Sequence, residues 1–182
     1  MKIVVGITGA TGVIYGIKLL KKLKTHPEVS TVLAMSEWAE KTIALETDYT
    51  AEYVRSLADE VCSNGNMAEG ISGGSYKVDA TVIIPCTVKT LSAIAHGYDA
   101  ELIVRAADVA MKEHRKLIIC PHETPLNEIH LENMAKLARM GAYIVPPMPS
   151  FYHRPQNADD IVEQFACRVM ELCGIEDAAY RR

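Results

Sequence analysis

The sequence has no long apolar run, and this absence excludes a membrane-spanning helix. About 20 consecutive apolar residues are needed to cross a bilayer, and the longest uncharged runs here are only as long as a strand. The chain starts directly with a strand-like run, without the separate charged, hydrophobic and cleavage regions of a signal peptide. The sequence therefore predicts a cytoplasmic protein that is not attached to a membrane.

A basic surplus and paired cysteines are also missing. The formal net charge is -4, which argues against nucleic acid as a partner because a phosphate backbone demands many cations. A local basic pocket could still hold one small phosphorylated ligand. No two cysteines form a C-x-x-C pair, so buried, reduced thiols are expected rather than disulfides or a metal site. The five cysteines are Cys62, Cys86, Cys120, Cys167 and Cys173.

What the sequence does contain is an alternation of short β-rich runs with amphipathic helical stretches. This order predicts an α/β fold in which helices cover both faces of a mostly parallel sheet, and 182 residues suit a single domain, 1–182. The predicted strands are residues 3–8, 31–35, 80–85, 116–120 and 142–145. The predicted helices are residues 14–23, 37–45, 51–61, 89–96, 101–114, 128–140 and 158–173. Residues from about 175 to 182 are predicted to form a C-terminal tail.

The first predicted strand runs into a glycine-rich turn, residues 6–12 (GITGATG). Glycines let the backbone approach a phosphate, and the N-terminus of the following helix adds N–H donors and positive potential. The spacing is not the dinucleotide fingerprint G-x-G-x-x-G, so a mononucleotide with one phosphate fits better. A tight strand-to-helix turn without a ligand is the alternative.

Small hydroxyl side chains follow the next two buried strands. Ser36 comes after the second strand, and Thr87 after the third. Ligands of open α/β sheets bind at the carboxyl ends of the strands, although helix capping is the commoner use of Ser and Thr at such positions. Cys86 is expected to be a small buried residue rather than a nucleophile, since no base is evident near it.

Charged and aromatic candidates lie farther along the chain. Arg105, Asp108 and Lys112 share one face of a predicted helix, where an ordinary ion-pair face would have the same spacing. Glu123 follows the fourth predicted strand in a loop stiffened by prolines, and a carboxylate there could act as an acid or a base. Tyr152, after the last strand, either binds a phosphate oxygen or packs.

Six motifs occur in order along the chain: residues 6–12 (GITGATG), 85–91 (PCTVKTL), 105–109 (RAADV), 123–126 (ETPL), 130–134 (HLENM) and 146–152 (PPMPSFY). They resemble the flavin prenyltransferase family, the UbiX-type enzymes known from ubiquinone synthesis and from phenolic-acid decarboxylase operons. The resemblance runs from Met1 to about Ile175 without large gaps.

This resemblance implies a fold, an assembly and a reaction. The fold would be a flavodoxin-like, Rossmann-like domain of three layers, and the assembly a dodecamer with active sites at subunit contacts. The enzyme would join dimethylallyl phosphate to reduced FMN across N5 and C6, without a metal. Its product, prenylated FMN, would serve a UbiD-type decarboxylase.

The resemblance also implies roles for individual residues. Glu46 and Glu123 would lie beside the reacting centre, and Arg105 would help to organise it. Cations and a phenol on the departing phosphate would lower the barrier electrostatically. The residues that would grip dimethylallyl phosphate are Lys112, Tyr152 and Arg168. Those that would hold FMN are Gly9, Ala10, Thr11, Ser36, Thr87, Val88, Lys89, Thr90 and His122.

One position departs from the family pattern. The family usually has Arg immediately before the glutamate of its R-E-x-P motif, and this chain has His122. A guanidinium is always charged and can hold phosphate bidentately, whereas an imidazole is often neutral at pH 7. The exchange predicts weaker phosphate binding, a changed phosphate donor, or compensation by another subunit.

Two other functions stay open at this point. One is an FMN-binding accessory subunit of an aromatic-acid decarboxylase, in which prenyl transfer is weakened or lost through His122. The other is a flavin-dependent decarboxylase of the peptidyl-cysteine type, which shares the general architecture. The motifs around Glu123 and Tyr152 favour the prenyltransferase over this last class.

Overall fold

A computed structural model of the chain describes residues 1–176, so most of the predicted C-terminal tail lies outside the described residues. Six strands form one sheet in the order β3-β2-β1-β4-β5-β6, and every neighbouring pair is parallel. The strands are β1 (Lys2–Ile7), β2 (Ser30–Met35), β3 (Glu60–Ser63), β4 (Ala80–Cys86), β5 (Lys116–Pro121) and β6 (Tyr143–Ile144). The helices are α1 (Val13–Leu23), α2 (Glu37–Glu46), α3 (Ala51–Arg55), α4 (Val88–His96), α5 (Leu102–Lys112), α6 (Glu128–Arg139) and α7 (Ala158–Cys173).

The centre of the sheet is formed by β1 and β4, which are buried on both faces. Every residue of β4 is buried, and in β1 only Lys2 is partly exposed. A parallel strand covered on both faces reads as a continuous apolar run, which is why these two strands are evident in the sequence. In the register of the sheet, Val5 pairs with Leu33 on one side and with Val82 on the other.

Helices cover both faces of the sheet and complete the three predicted layers. On one face, α1 and α7 pack against β1 residues such as Ile3 and Ile7. On the other face, α4, α5 and α6 pack around Ile83 and Ile119. The predicted flavodoxin-like α/β fold is therefore confirmed.

The predicted helix over residues 51–61 is wrong in its second half. Helix α3 ends at Arg55, and β3 follows and pairs with β2. Of the four residues of β3 only Cys62 is buried, so the segment lacks the apolar run that marks the other strands. Periodicity does not separate so short an edge strand from a helix. The other predicted elements agree with the structure to within two residues at each end.

The strand order reverses between β1 and β4, and this reversal places the site. The chain leaves β1 toward α1 on one face of the sheet and leaves β4 toward α4 on the other. The two connections diverge and leave a crevice outside the carboxyl ends of the strands, where ligands of such sheets bind. Within residues 1–176, no helix is long and apolar enough to cross a membrane.

Candidate active site

A cavity of about 490 Å³ opens at this crevice. It lies outside the ends of β1, β2 and β4, and its volume falls within the range of about 300–1,000 Å³ that is usual for small-molecule pockets. The residues that line it are Thr8, Gly9, Ser36, Glu37, Trp38, Asn64, Gly65, Thr87, Lys89, Thr90 and Glu101. Five residues of the predicted FMN-binding set are among them.

Thr8 joins the two central strands at the floor of the cavity. Its hydroxyl donates to the carbonyl of Pro85 at 2.8 Å and accepts from the backbone N–H of Thr87 at 2.9 Å. The side chain is buried, so both bonds are shielded from water and hold the ends of β1 and β4 together. This contact fixes the position of Thr87 and of the helix that follows it.

Ser36 and Thr87 cap the helices that begin at the cavity. The backbone N–H of Ala39 donates to Ser36 Oγ at 3.1 Å, and that of Thr90 donates to Thr87 Oγ1 at 3.1 Å. Both hydroxyls therefore cap helices, which the sequence analysis gave as the alternative to ligand binding. Both residues nevertheless line the cavity, so the N-termini of α2 and α4, which attract anions, are directed toward it.

A charged pair forms one wall of the cavity. Lys89 Nζ lies 2.5 Å from Glu101 Oε1, and the amide of Asn64 donates to Glu101 Oε2 at 3.0 Å. The hydrogen bond from Lys89 lowers the pKa of Glu101 below its ordinary value, although partial burial acts in the opposite direction. Lys89 is exposed, so this cation is accessible to an anionic ligand.

Asn64 also holds the start of α5. Its side-chain oxygen accepts from the backbone N–H of Ile103 at 3.0 Å, and its carbonyl accepts from that of Leu102 at 2.8 Å. Glu101, at the N-cap position of α5, makes no capping bond of its own. Asn64, which follows β3, therefore caps α5 in place of Glu101 and also holds Glu101, the partner of Lys89.

A second group of side chains lies on the other side of the β1 turn. The backbone N–H of Gly12 donates to Glu46 Oε2 at 2.8 Å, which places a carboxylate at the N-terminus of α1, where the helix dipole favours negative charge. Gly12 has a φ of +87°, a conformation that favours glycine. A β-carbon there would lie 3.6 Å from Cε1 of His122. Glu46 and His122 thus flank the same turn.

Tyr152 is held near this group by α7. Its hydroxyl accepts from Gln164 Nε2 at 2.7 Å, and Gln164 precedes Phe165, whose ring packs edge-on against Tyr15 at 5.1 Å between centroids. Arg168 lies one turn beyond Gln164 on the same helix face, with its guanidinium 2.5 Å from Glu171. The phenol and the guanidinium of the predicted donor site are therefore on neighbouring elements.

Glu123 follows His122 and is exposed in the single chain. One of its carboxylate oxygens accepts from the backbone N–H of Thr124 at 3.2 Å. The ring of His122 is largely covered, and its Nδ1 is a buried polar atom without a hydrogen-bond partner among the described residues. A buried unsatisfied nitrogen is costly, so a hydrogen-bond partner for His122 Nδ1 is expected from outside the described contacts of the single chain.

The single chain does not bring Arg105 and Lys112 to the cavity. The guanidinium of Arg105 binds Asp99 at 3.0 Å and Asp108 at 2.9 Å, which is the ion-pair arrangement that its spacing also allowed. Lys112 is the last residue of α5 and lies near the amino ends of the strands, with Nζ 2.8 Å from Glu113. In a parallel sheet these ends are opposite the crevice.

The cysteines take no part in the site. All five lie in the described part of the chain, all are buried, and none forms a disulfide. Burial raises the pKa of Cys62 to about 11 and places that of Cys86, at the end of β4, higher still. A neutral thiol is a weak nucleophile, which agrees with the structural interpretation of Cys86.

Sequence reasoning missed several residues of the cavity. Asn64 and Gly65 follow β3, the strand that the sequence did not reveal, and Glu101 precedes a helix start without a recognisable cap. Glu37 and Trp38 are in the first turn of α2, directly after Ser36. Their place next to a predicted binding residue is the one signal that could have identified them.

Comparisons with known proteins agree with this geometry. The Flavoprotein family matches residues 1–170. The flavin prenyltransferase UbiX of Methanocaldococcus jannaschii is 47% identical over 182 residues, which cover 100% of this chain and 98% of that protein.

Two crystal structures are similar over the whole chain. One is a dodecameric FMN-dependent UbiX-like decarboxylase from Escherichia coli O157:H7, with a TM-score of 0.98 and 49% identity, covering 100% of this chain and 98% of that one. The other is AnUbiX (PadA1) in complex with FMN and dimethylallyl pyrophosphate, with a TM-score of 0.97 and 45% identity, covering 100% and 96%. By its fold, its conserved length and its identity to these proteins, the chain belongs to the UbiX-type flavin prenyltransferases of the Flavoprotein family.

Proposed function

We propose that this protein is a flavin prenyltransferase that joins dimethylallyl phosphate to N5 and C6 of reduced FMN and releases prenylated FMN. The observation that carries the proposal is the convergence of two groups at one crevice. The cavity, with the cation of Lys89 in its lining, lies on one side of the β1 turn, and Glu46 and His122 flank Gly12 on the other side, with Tyr152 held by α7. The Methanocaldococcus jannaschii relative is named a flavin prenyltransferase, and AnUbiX was solved with FMN and dimethylallyl pyrophosphate.

The cavity fits one FMN molecule. Its lining supplies hydroxyls at two helix N-termini and the cation of Lys89, which suit a ribityl chain and a single phosphate. We assign the flavin to this lining, with the backbone of Gly9, Ala10, Thr11 and Val88 beside it. Bound reduced FMN supplies the nucleophilic ring atoms, and the protein residues bind, orient and shield them.

The second group fits the prenyl donor. We assign the phosphate of dimethylallyl phosphate to Tyr152 and Arg168, a phenol and a guanidinium held by α7. We assign His122, which the resemblance placed among the FMN-binding residues, to the same phosphate, because its Nδ1 has no hydrogen-bond partner among the described residues. These donors stabilise the negative charge that develops as phosphate departs. Glu123, which is adjacent in the chain, is assigned as the group that transfers a proton, and Glu46 as a carboxylate beside the reacting atoms.

Lys112 and Arg105 fit the proposal only in an assembly. Both lie on α5, away from the donor group of their own chain. We propose that the protein forms a dodecamer, as the similar Escherichia coli protein does, and that these cations complete the site of a neighbouring subunit. Burial of Glu123, which is exposed in the single chain, would come from the same contact.

The destination of the product is part of the proposal. Prenylated FMN would pass to a UbiD-type decarboxylase, and the protein would work in the cytoplasm, where its five buried thiols stay reduced. We also propose that residues 1–182 are one flavoprotein domain that needs no metal.

An anaerobic assay tests the function. Reduced FMN and dimethylallyl phosphate are incubated with the protein, and the flavin is analysed by mass spectrometry, with dimethylallyl pyrophosphate in a parallel reaction. We expect a flavin heavier by one prenyl group with the monophosphate. If saturating substrates give no such mass while a relative with known activity does, the proposal is wrong. Retained FMN binding in that case would instead support the accessory subunit.

A further inference from the structure

Trp38 is the unusual member of the cavity lining. It is the chain's sole tryptophan and the one aromatic side chain among the described residues that line the cavity. The other lining residues are glycines or have polar or charged side chains. Trp38 is 64% exposed in the single chain, so its ring is accessible to a ligand in the cavity.

The position of Trp38 is fixed by the turn after β1. A β-carbon on Gly9 would lie 3.0 Å from the carbonyl carbon of Trp38 and closer still to its β-carbon. Because the loop has no side chain there, the first turn of α2 packs directly on it. The N-cap bond of Ser36 fixes the same turn from the other end. The backbone that carries the indole is therefore held rigidly at the mouth of the cavity.

One face of the indole is already covered. Lys41 Nζ lies 4.6 Å from the ring centroid, a cation–π distance, and Glu37 holds this ammonium at 2.7 Å. The pair lies at the protein surface, with both side chains at least half exposed, and it occupies one face of the ring.

We propose that Trp38 is a positioning residue for the flavin, whose isoalloxazine ring packs against the face of the indole opposite Lys41. This inference rests on the proposed function, since it takes the cavity to be the flavin site. Flat aromatic systems prefer stacked or edge-on partners, and nothing else in the described lining offers one.

The test measures FMN binding and the emission of bound flavin separately. Affinity is measured by ultrafiltration and flavin absorbance. Emission reports contact, because an indole quenches an excited flavin by donating an electron at short range, and a phenyl ring does not. In the Trp38→Phe variant we expect nearly unchanged affinity and brighter bound flavin. In the Trp38→Ala variant we expect roughly tenfold weaker FMN binding and an unchanged KM for the prenyl donor.

Tyr98→Ala is the matched control, since Tyr98 is an exposed aromatic outside the lining of the cavity, and we expect no change in either measurement. If the parent binds FMN but Trp38→Phe leaves the emission of bound flavin unchanged, the inference is wrong while the proposed function stands. If Trp38→Ala changes only the size of the assembly in sedimentation, Trp38 packs on a neighbouring subunit and the inference is also wrong. If the parent binds no FMN, the proposed function itself fails.

Discussion

Glu123 presents a carboxylate that no charged side chain of its own chain neutralises among its described contacts. Its recorded hydrogen bond comes from the adjacent backbone N–H of Thr124, so the other oxygen can face a substrate. A glutamine there keeps the shape but cannot transfer a proton. We expect Glu123→Gln to bind FMN with unchanged affinity and to form product about 100-fold more slowly or worse. Single-turnover formation of prenylated flavin checks this, and unchanged turnover would remove Glu123 from the mechanism.

His122 stands where the family usually has arginine, and the accessory-subunit hypothesis rests on this exchange. The neighbouring β1 turn and Tyr15 surround its ring, so an arginine must reach past the turn to a phosphate. We expect the natural chain to be active and His122→Arg to lower the KM for dimethylallyl phosphate several-fold, because a guanidinium binds phosphate in two-point fashion. Steady-state kinetics at fixed FMN measures this. Activity that appears only in the arginine variant would favour the accessory role.

At the scale of elements, Asn64 links an edge strand to a helix on which the cavity depends. Removal of its side chain in Asn64→Ala leaves the N–H of Ile103 without its acceptor and frees Glu101 from one of its two partners. Loss of a helix cap costs about 1 kcal/mol, so we expect the free energy of unfolding to fall by about that amount. Urea denaturation measures it.

Asn66→Ala provides the control for this prediction. Asn66 belongs to the same loop and its amide binds only local, exposed partners, Glu69 and the N–H of Ala68. We expect a smaller loss of stability and no change in FMN affinity. Equal losses from both substitutions would contradict the capping role of Asn64.

The elements that the sequence could predict are those whose burial leaves a periodic trace. The buried strands β1 and β4 and the amphipathic helix α7 were predicted to within two residues at each end. Strand β3 was missed because only one of its four residues is buried, so it has no apolar run. The cavity residues Asn64 and Gly65 follow that strand, so the same gap hid them.

At the scale of the molecule, the candidate site was predictable only in part. The order of the strands brings Gly9, Ser36 and Thr87 to one crevice, as their positions after buried strands indicate. Contacts between distant segments leave no such pattern. Gln164, which donates to Tyr152, is twelve positions away from it in the chain. Glu101, which accepts from Lys89, is also twelve positions away, beyond the end of α4.

Burial of the thiols predicts how the whole molecule responds to a thiol reagent. Burial raises the pKa of Cys62 to about 11 and that of Cys173 to about 12, so at pH 8 roughly a thousandth of Cys62 is thiolate. We expect native protein to react slowly with a thiol-specific disulfide reagent, faster as the pH rises toward 11, and all five cysteines to react after unfolding. Rapid reaction at Cys86 in native protein would reopen a nucleophilic role.

The separation of Lys112 from Glu123 predicts complementation between subunits. Lys112 lies near the amino ends of the strands, and Glu123 follows the carboxyl end of β5. A site that uses both must therefore take them from different chains. We expect Lys112→Ala and Glu123→Gln each to be nearly inactive alone. When the two variants are co-expressed with different tags and purified through both, about a quarter of the sites in a random assembly combine an intact Lys112 with an intact Glu123, and activity returns in that proportion.

The control for this experiment combines two variants whose changed residues both lie at the carboxyl ends of the strands. Glu46→Gln and Glu123→Gln both alter the crevice side of one chain, where Glu46 binds the turn that flanks His122. No mixture of these two variants gives a chain with both carboxylates intact, so we expect no recovery. Recovery in the control would mean that Glu46 and Glu123 also come from different subunits. Absence of recovery in the Lys112 mixture, with mixed assembly verified by both tags, would show that Lys112 is a structural cation of α5, held by Glu113.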